Sequence, residues 1–160
     1  MLFSDSYTEH LKLYRQLFTD SDIILDVGCG PEGSDLQVDG IDIETDLSTI
    51  DFTKYNTLNF SESIGYLSLH EVLFLLKIVH PTKIIIKDFL CTEPVDVPYF
   101  NYNFQFFYQQ MVPTLVRAGY TMKLKQFTPS KVRWKELLAS CGLEYHAAPG
   151  IRPVVGIFIL

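Results

Sequence analysis

Residues 23–33 read Ile23-Ile24-Leu25-Asp26-Val27-Gly28-Cys29-Gly30-Pro31-Glu32-Gly33. An apolar, β-rich run that breaks at Gly-x-Gly predicts a strand entering a tight turn. Glycines in such a turn let backbone approach a ligand without a side-chain clash. A second strand is predicted over Val38-Asp39-Gly40-Ile41-Asp42-Ile43, ending in the acidic loop Glu44-Thr45-Asp46-Leu47. Only residues 31 to 37 separate the turn from that strand, so the usual intervening helix is absent or cut to a turn or two. Asp42 stands 14 residues beyond Gly28, against a separation of about 20 in dinucleotide-binding units. A carboxylate at this place can accept the hydroxyls of a ribose, which points to a nucleoside. A pyrophosphate is less well served, because it needs a full helix N-terminus. The other reading is a plain tight turn beside an exposed Asp.

Outward from this point, strands and helices alternate. A helix is expected over 5–18, within an N-terminal stretch 1–20 that is placed to act as a lid. Thr57-Leu58-Asn59-Phe60 reads as a strand. Ser68 to Val79 reads as a helix with Leu69, Val72, Leu73, Leu76 and Val79 on its buried face, closed by Pro81. Lys83 to Asp88 has the fully apolar centre of a strand inside a parallel sheet. Helix resumes before Ala118 and again over 130–140. Strands near 143–147 and 154–160 are expected to close the chain as an antiparallel hairpin. The pattern is that of an α/β, Rossmann-like fold, mainly parallel with an antiparallel C-terminal hairpin, in a single domain over 1–160.

Composition narrows the classes. Of 160 residues, 48% are hydrophobic and 14% aromatic, which is too apolar for a disordered chain. The apolar runs are strand-sized, so no membrane segment is expected. Three scattered cysteines form neither a disulfide framework nor a zinc site, and with no signal-like N-terminus they point to a cytoplasmic setting. Residues 1–100 carry 17 acids and 6 Lys/Arg, a balance of −11. Residues 101–160 carry 2 acids and 7 Lys/Arg, a balance of +5. The acidic part argues against broad nucleic-acid binding. The basic part keeps that partner open and otherwise reads as a solvated face.

Ile24-Leu25-Asp26-Val27-Gly28-Cys29-Gly30-Pro31 resembles the first motif of class I S-adenosylmethionine-dependent methyltransferases, and the order of elements over residues 22–160 is similar. The resemblance implies S-adenosylmethionine as cofactor, held by Asp26, Gly28, Cys29 and Gly30. Asp42 and Ile43 match the ribose-binding acid and its neighbour. Asp46 and Leu47 match the acidic motif beside the adenine. Phe60 and Ser61 fall near the methionine part. The family's third motif glycine falls here on Glu32, and its first helix and third strand are shortened or missing. The implied activity is methyl transfer to a small or mid-sized acceptor. The alternatives are a degenerate, non-catalytic interaction protein and a nicotinamide oxidoreductase.

Glu62, Tyr66 and His70 follow the strand that, as the resemblance implies, should end at the methyl group, and are the candidates for acceptor chemistry. His70-Glu71 lacks a second His at helical spacing, so no metal is expected. The aromatic segment 99–108 admits four readings: walls of the acceptor site, a homodimer face, a platform for stacked bases, or core packing.

Overall fold

The computed structural model describes residues 15–61, 63–64, 67–91, 110–126 and 151–160. They hold six strands: β1 (Ile24–Val27), β2 (Asp39–Ile41), β3 (Thr57–Ser61), β4 (Lys83–Cys91), β5 (Thr121–Gln126) and β6 (Ile151–Ile159). One sheet contains them all, in the order β2-β1-β3-β4-β6-β5. The first four are parallel, and β6 runs antiparallel to both β4 and β5. Two helices accompany them, α1 (Leu69–Val79) and α2 (Val112–Arg117). From β1 the chain moves out to β2, then crosses back to β3 on the other side of β1. That reversal opens a crevice at the carboxyl ends of the strands, where ligands bind in open parallel sheets.

Register explains the two faces. Leu25, Leu58, Ile84, Phe158 and Met122 lie opposite one another across five strands. This row joins Val27, Phe60 and Ile86 in one core with Val72, Leu75 and Val79 of α1 and Leu115 of α2. One residue on, side chains point the other way. The second row is Asp26, Asn59, Ile85, Ile157 and Lys123. Ile85 packs there with Leu17, Phe18 and Leu36. Lys83, on the same face, donates to the Leu17 carbonyl and to Asp22, both at 2.8 Å. That pair is largely shielded, and it ties residues 17–22 to the sheet.

Local chemistry sets the ends of α1. Ser68 accepts from the Glu71 amide, and the Glu71 carboxylate accepts from the Ser68 amide, a complete capping box. His80 takes the left-handed conformation at the other end, and Pro81 follows. Between β1 and β2 there are turns and no helix, as the short spacing predicts. Two single-turn 3-10 helices, at Leu47–Thr49 and Phe52–Lys54, link β2 to β3. Among the described residues no strand pairs with the outer edge of β2, in keeping with the expected loss of one strand.

Two expectations are corrected. The partner of the last strand is β5, at Thr121–Gln126, and not a strand at 143–147; residues 143–147 lie outside the described residues. The buried face of α1 carries Val72, Leu75 and Val79, whereas Leu73 is exposed. The expected helices over 5–18 and 130–140 fall wholly or mainly outside the described residues.

Asp26 is the acid of the buried polar row. Its Oδ1 accepts from Asn59 Nδ2 at 2.9 Å and its Oδ2 from Ser34 Oγ at 2.5 Å. Burial pushes its carboxyl above the ordinary value, and the bonds from Ser34 and Asn59 pull it back only in part. The folded chain therefore holds this proton to higher pH than the unfolded chain does. The associated stability is fully present below the ordinary carboxylate value and is lost as pH rises through the folded one. Asp26→Asn cannot ionise, so its stability relative to the parent should increase with pH. Urea midpoints between about pH 4 and pH 8 check this; a constant difference would contradict it.

Candidate functional site

The sequence places two glycines where β1 ends, and both take positive φ, +80° at Gly28 and +83° at Gly30. Their surroundings differ. A Cβ at Gly28 would lie 2.5 Å from the Ser63 Cβ, so a side chain there has no room. A Cβ at Gly30 would meet nothing within 4 Å. The Gly28 and Cys29 amides both donate to the Ile41 carbonyl, at 2.7 and 3.2 Å. Ser63 Oγ donates to the Val27 carbonyl at 2.7 Å. Three strand ends are thus drawn together around one turn.

Beside this turn lies a cavity of about 740 Å³, within the size range of ligand sites. Gly28, Gly30 and Ser63 line one side, and Asp42, Ile43, Thr45 and Leu47 line another. Leu67, just before α1, and His70, Glu71 and Phe74 in the first turns of α1 close it. The rim is apolar and open: Ile43 is fully exposed and Phe74 is 52% exposed. Asp42 is half-buried. Its Oδ1 accepts from the Glu44 amide at 2.9 Å and from Thr45 Oγ1 at 3.0 Å. Among the described residues, none donates to Oδ2.

Of the residues singled out from the sequence, Gly28, Gly30, Asp42, Ile43, Leu47 and His70 line the cavity. Asp26, Cys29, Asp46, Phe60 and Ser61 do not. Asp26 is held on the opposite face of the sheet by strand alternation, and Phe60 is buried in the core. Cys29 Sγ sits over Gly40, where a Cβ would come within 2.5 Å of it. Burial raises the Cys29 thiol, and the carboxylates of Asp26 and Asp42 raise it further, so it is not a poised thiolate. Asp46 is fully exposed, and hydrogen bonds from the Ser48 hydroxyl and amide lower its carboxyl. It caps the turn at Leu47–Thr49. Glu62, Tyr66 and the segment 99–108 lie outside the described residues.

Thr45, Ser63, Leu67 and Phe74 also line the cavity, although none of them was singled out from the sequence as a site residue. Ser63 had a signal, a small polar residue just after a strand that ends beside a glycine turn. Phe74 had none, because α1 is apolar around most of its circumference. Among the described residues no group of three His, Cys, Asp or Glu is placed to hold a metal ion. No helix among them is long and apolar enough to cross a membrane.

No protein-family model matches the sequence, and none of the curated proteins does. Solved structures do match. Geranyl diphosphate C-methyltransferase from Streptomyces coelicolor A3(2), solved with Mg2+, geranyl diphosphate and S-adenosyl-L-homocysteine, has a TM-score of 0.59 and 12% identity. The match covers 95% of this chain and 79% of that one. A SAM-dependent methyltransferase from Archaeoglobus fulgidus has a TM-score of 0.55 and 12% identity, with coverage of 95% and 92%. Phosphoethanolamine N-methyltransferase 2 from Haemonchus contortus, in complex with S-adenosyl-L-methionine, has a TM-score of 0.56 and 13% identity. The match covers 96% of this chain and 52% of that enzyme, so this chain spans about half its length. Identities this low speak to architecture alone: the chain has the fold of class I S-adenosylmethionine-dependent methyltransferases.

Proposed function

We propose that this protein is a small S-adenosylmethionine-dependent methyltransferase acting on a small or mid-sized acceptor. The observation that carries the reading is the pairing, across one cavity, of an open glycine turn with a carboxylate that has an oxygen to spare. Gly30 has open space where a Cβ would stand, which leaves room for a ligand against the backbone. Asp42 Oδ2 is suited to accept from a ribose hydroxyl. Ile43, Leu47 and Phe74 supply apolar surface for a flat base. The residues present therefore fit an adenosyl cofactor.

When bound, S-adenosylmethionine supplies a methyl group activated on a sulfonium. The chain's own work is to hold, align and dry the site. The turn at residues 28–30 fixes one end of the cofactor and Asp42 its sugar. We assign the acceptor side to Glu62, Tyr66 and His70, which follow the end of β3. There Glu62 takes a proton when the acceptor must lose one.

Titration calorimetry tests the reading directly. S-adenosylmethionine and S-adenosylhomocysteine should both bind, and no heat at millimolar ligand would overturn it. Asp42→Ala should weaken binding by about 1–3 kcal/mol, the scale for a hydrogen bond to a charged group; unchanged affinity would show that the sugar lies elsewhere. The two glycines should separate. Gly30→Ala should remain folded, at a backbone cost of about 1–2 kcal/mol, and lose cofactor affinity. Gly28→Ala should lose about 3 kcal/mol or more of stability, because strain and a clash add. Equal effects on stability would refute this division.

A further inference from the structure

We propose that Thr45 is a positioning residue: its hydroxyl locks the carboxylate of Asp42 so that one oxygen stays available to a ribose. The proposal rests on the methyltransferase reading above.

Residues 42–45 form a closed turn, with the Thr45 amide donating to the Asp42 carbonyl at 3.2 Å. Inside it the Thr45 hydroxyl meets Asp42 twice. Oγ1 accepts from the Asp42 amide at 2.8 Å and donates its proton to Asp42 Oδ1 at 3.0 Å. The Glu44 amide adds a second donor to Oδ1 at 2.9 Å. A threonine hydroxyl has one proton to give, and here that proton is committed to the carboxylate. Oδ1 is thus held by two donors, while Oδ2 accepts from none among the described residues. Thr45 and Asp42 both line the cavity, and both are half-buried. A carboxylate on a freely turning side chain would have to be ordered by the ligand, which lowers affinity. Thr45 removes that cost before the ligand arrives. Glu44 alone cannot do so, because a single donor to Oδ1 leaves the carboxylate free to swing about that bond.

The distinguishing feature of such a role is that it acts only through the sugar hydroxyls. The experiment compares S-adenosylhomocysteine with its analogue lacking both ribose hydroxyls, on the full chain, by calorimetry. Thr45→Val should weaken S-adenosylhomocysteine by roughly tenfold and leave the dideoxy analogue unchanged. Thr45→Ser, which restores the hydroxyl, should bind both ligands as the parent does. If Thr45→Val does not fold, Thr45→Ala carries the same comparison. Two results would overturn the proposal while sparing the methyltransferase reading: unchanged affinity in the variant, or equal loss for both ligands. Failure of the parent chain to bind S-adenosylhomocysteine would overturn both.

Discussion

The fold converges on the approach of residue 28 to the strands on either side of it. The Gly28 amide is bonded to the end of β2, and the Val27 carbonyl to Ser63 just past β3. Ser63 stands where a side chain on residue 28 would have to be. A glycine is required there both for its positive φ and for its missing Cβ. With it in place, the ends of three parallel strands share one small region, and the residues that follow them are delivered to a common cavity. Asp42 reaches that cavity because β2 is pinned to the turn, not because of any contact of its own with Gly28.

The sheet holds this arrangement through register. The row Leu25, Leu58, Ile84 and Phe158 buries apolar surface under α1, and a slip of one residue in any strand would exchange it for the row of Asp26 and Asn59. The second row is polar at its centre. Asp26 spends both carboxylate oxygens on Asn59 and Ser34, so it anchors the loop that replaces a helix. The Leu36 amide in turn donates to Ser34 Oγ at 3.2 Å, and Leu36 packs near Ile85. A helix would satisfy its own backbone; this loop relies on a buried acid.

How far the sequence could be read follows from these constraints. Strands β1, β3 and β4 were legible because each is a short run with one apolar row, bounded by turn residues, even though their second face carries Asp26, Asn59 and Lys83. The shortened β1–β2 connection was legible as a simple count. Strand β5 was missed because Lys123 and Lys125 read as part of a basic face. Both fall in β5, at the edge of the sheet among the described residues, where lysine is common; Met122 is half-buried and Lys123 exposed. The face of α1 was misjudged for another reason. A helix with apolar residues nearly all round gives no preferred direction, so only the sheet beneath it decides that Leu75 is buried and Leu73 is not. Asp46 illustrates a third limit. An acidic loop beside a ligand-binding strand suggests ligand contacts, yet Asp46 and Asp51 each cap a short 3-10 turn, through Ser48 and Thr53.

The missing helix also bears on which cofactor the turn can serve. A dinucleotide presents a pyrophosphate, and the usual answer is a helix N-terminus aimed at it. Residues 31–37 have turns and no helix, so that answer is not on offer here. An adenosylated sulfonium has no phosphate to neutralise. It asks for backbone close to a methionine chain, an acceptor for sugar hydroxyls, and apolar surface for a base. A glycine turn, one held carboxylate and an apolar rim meet those needs without a helix dipole. Under the proposed function, the reduction of the fold between β1 and β2 removes an element that this cofactor does not need and that a pyrophosphate-bearing nicotinamide cofactor ordinarily uses.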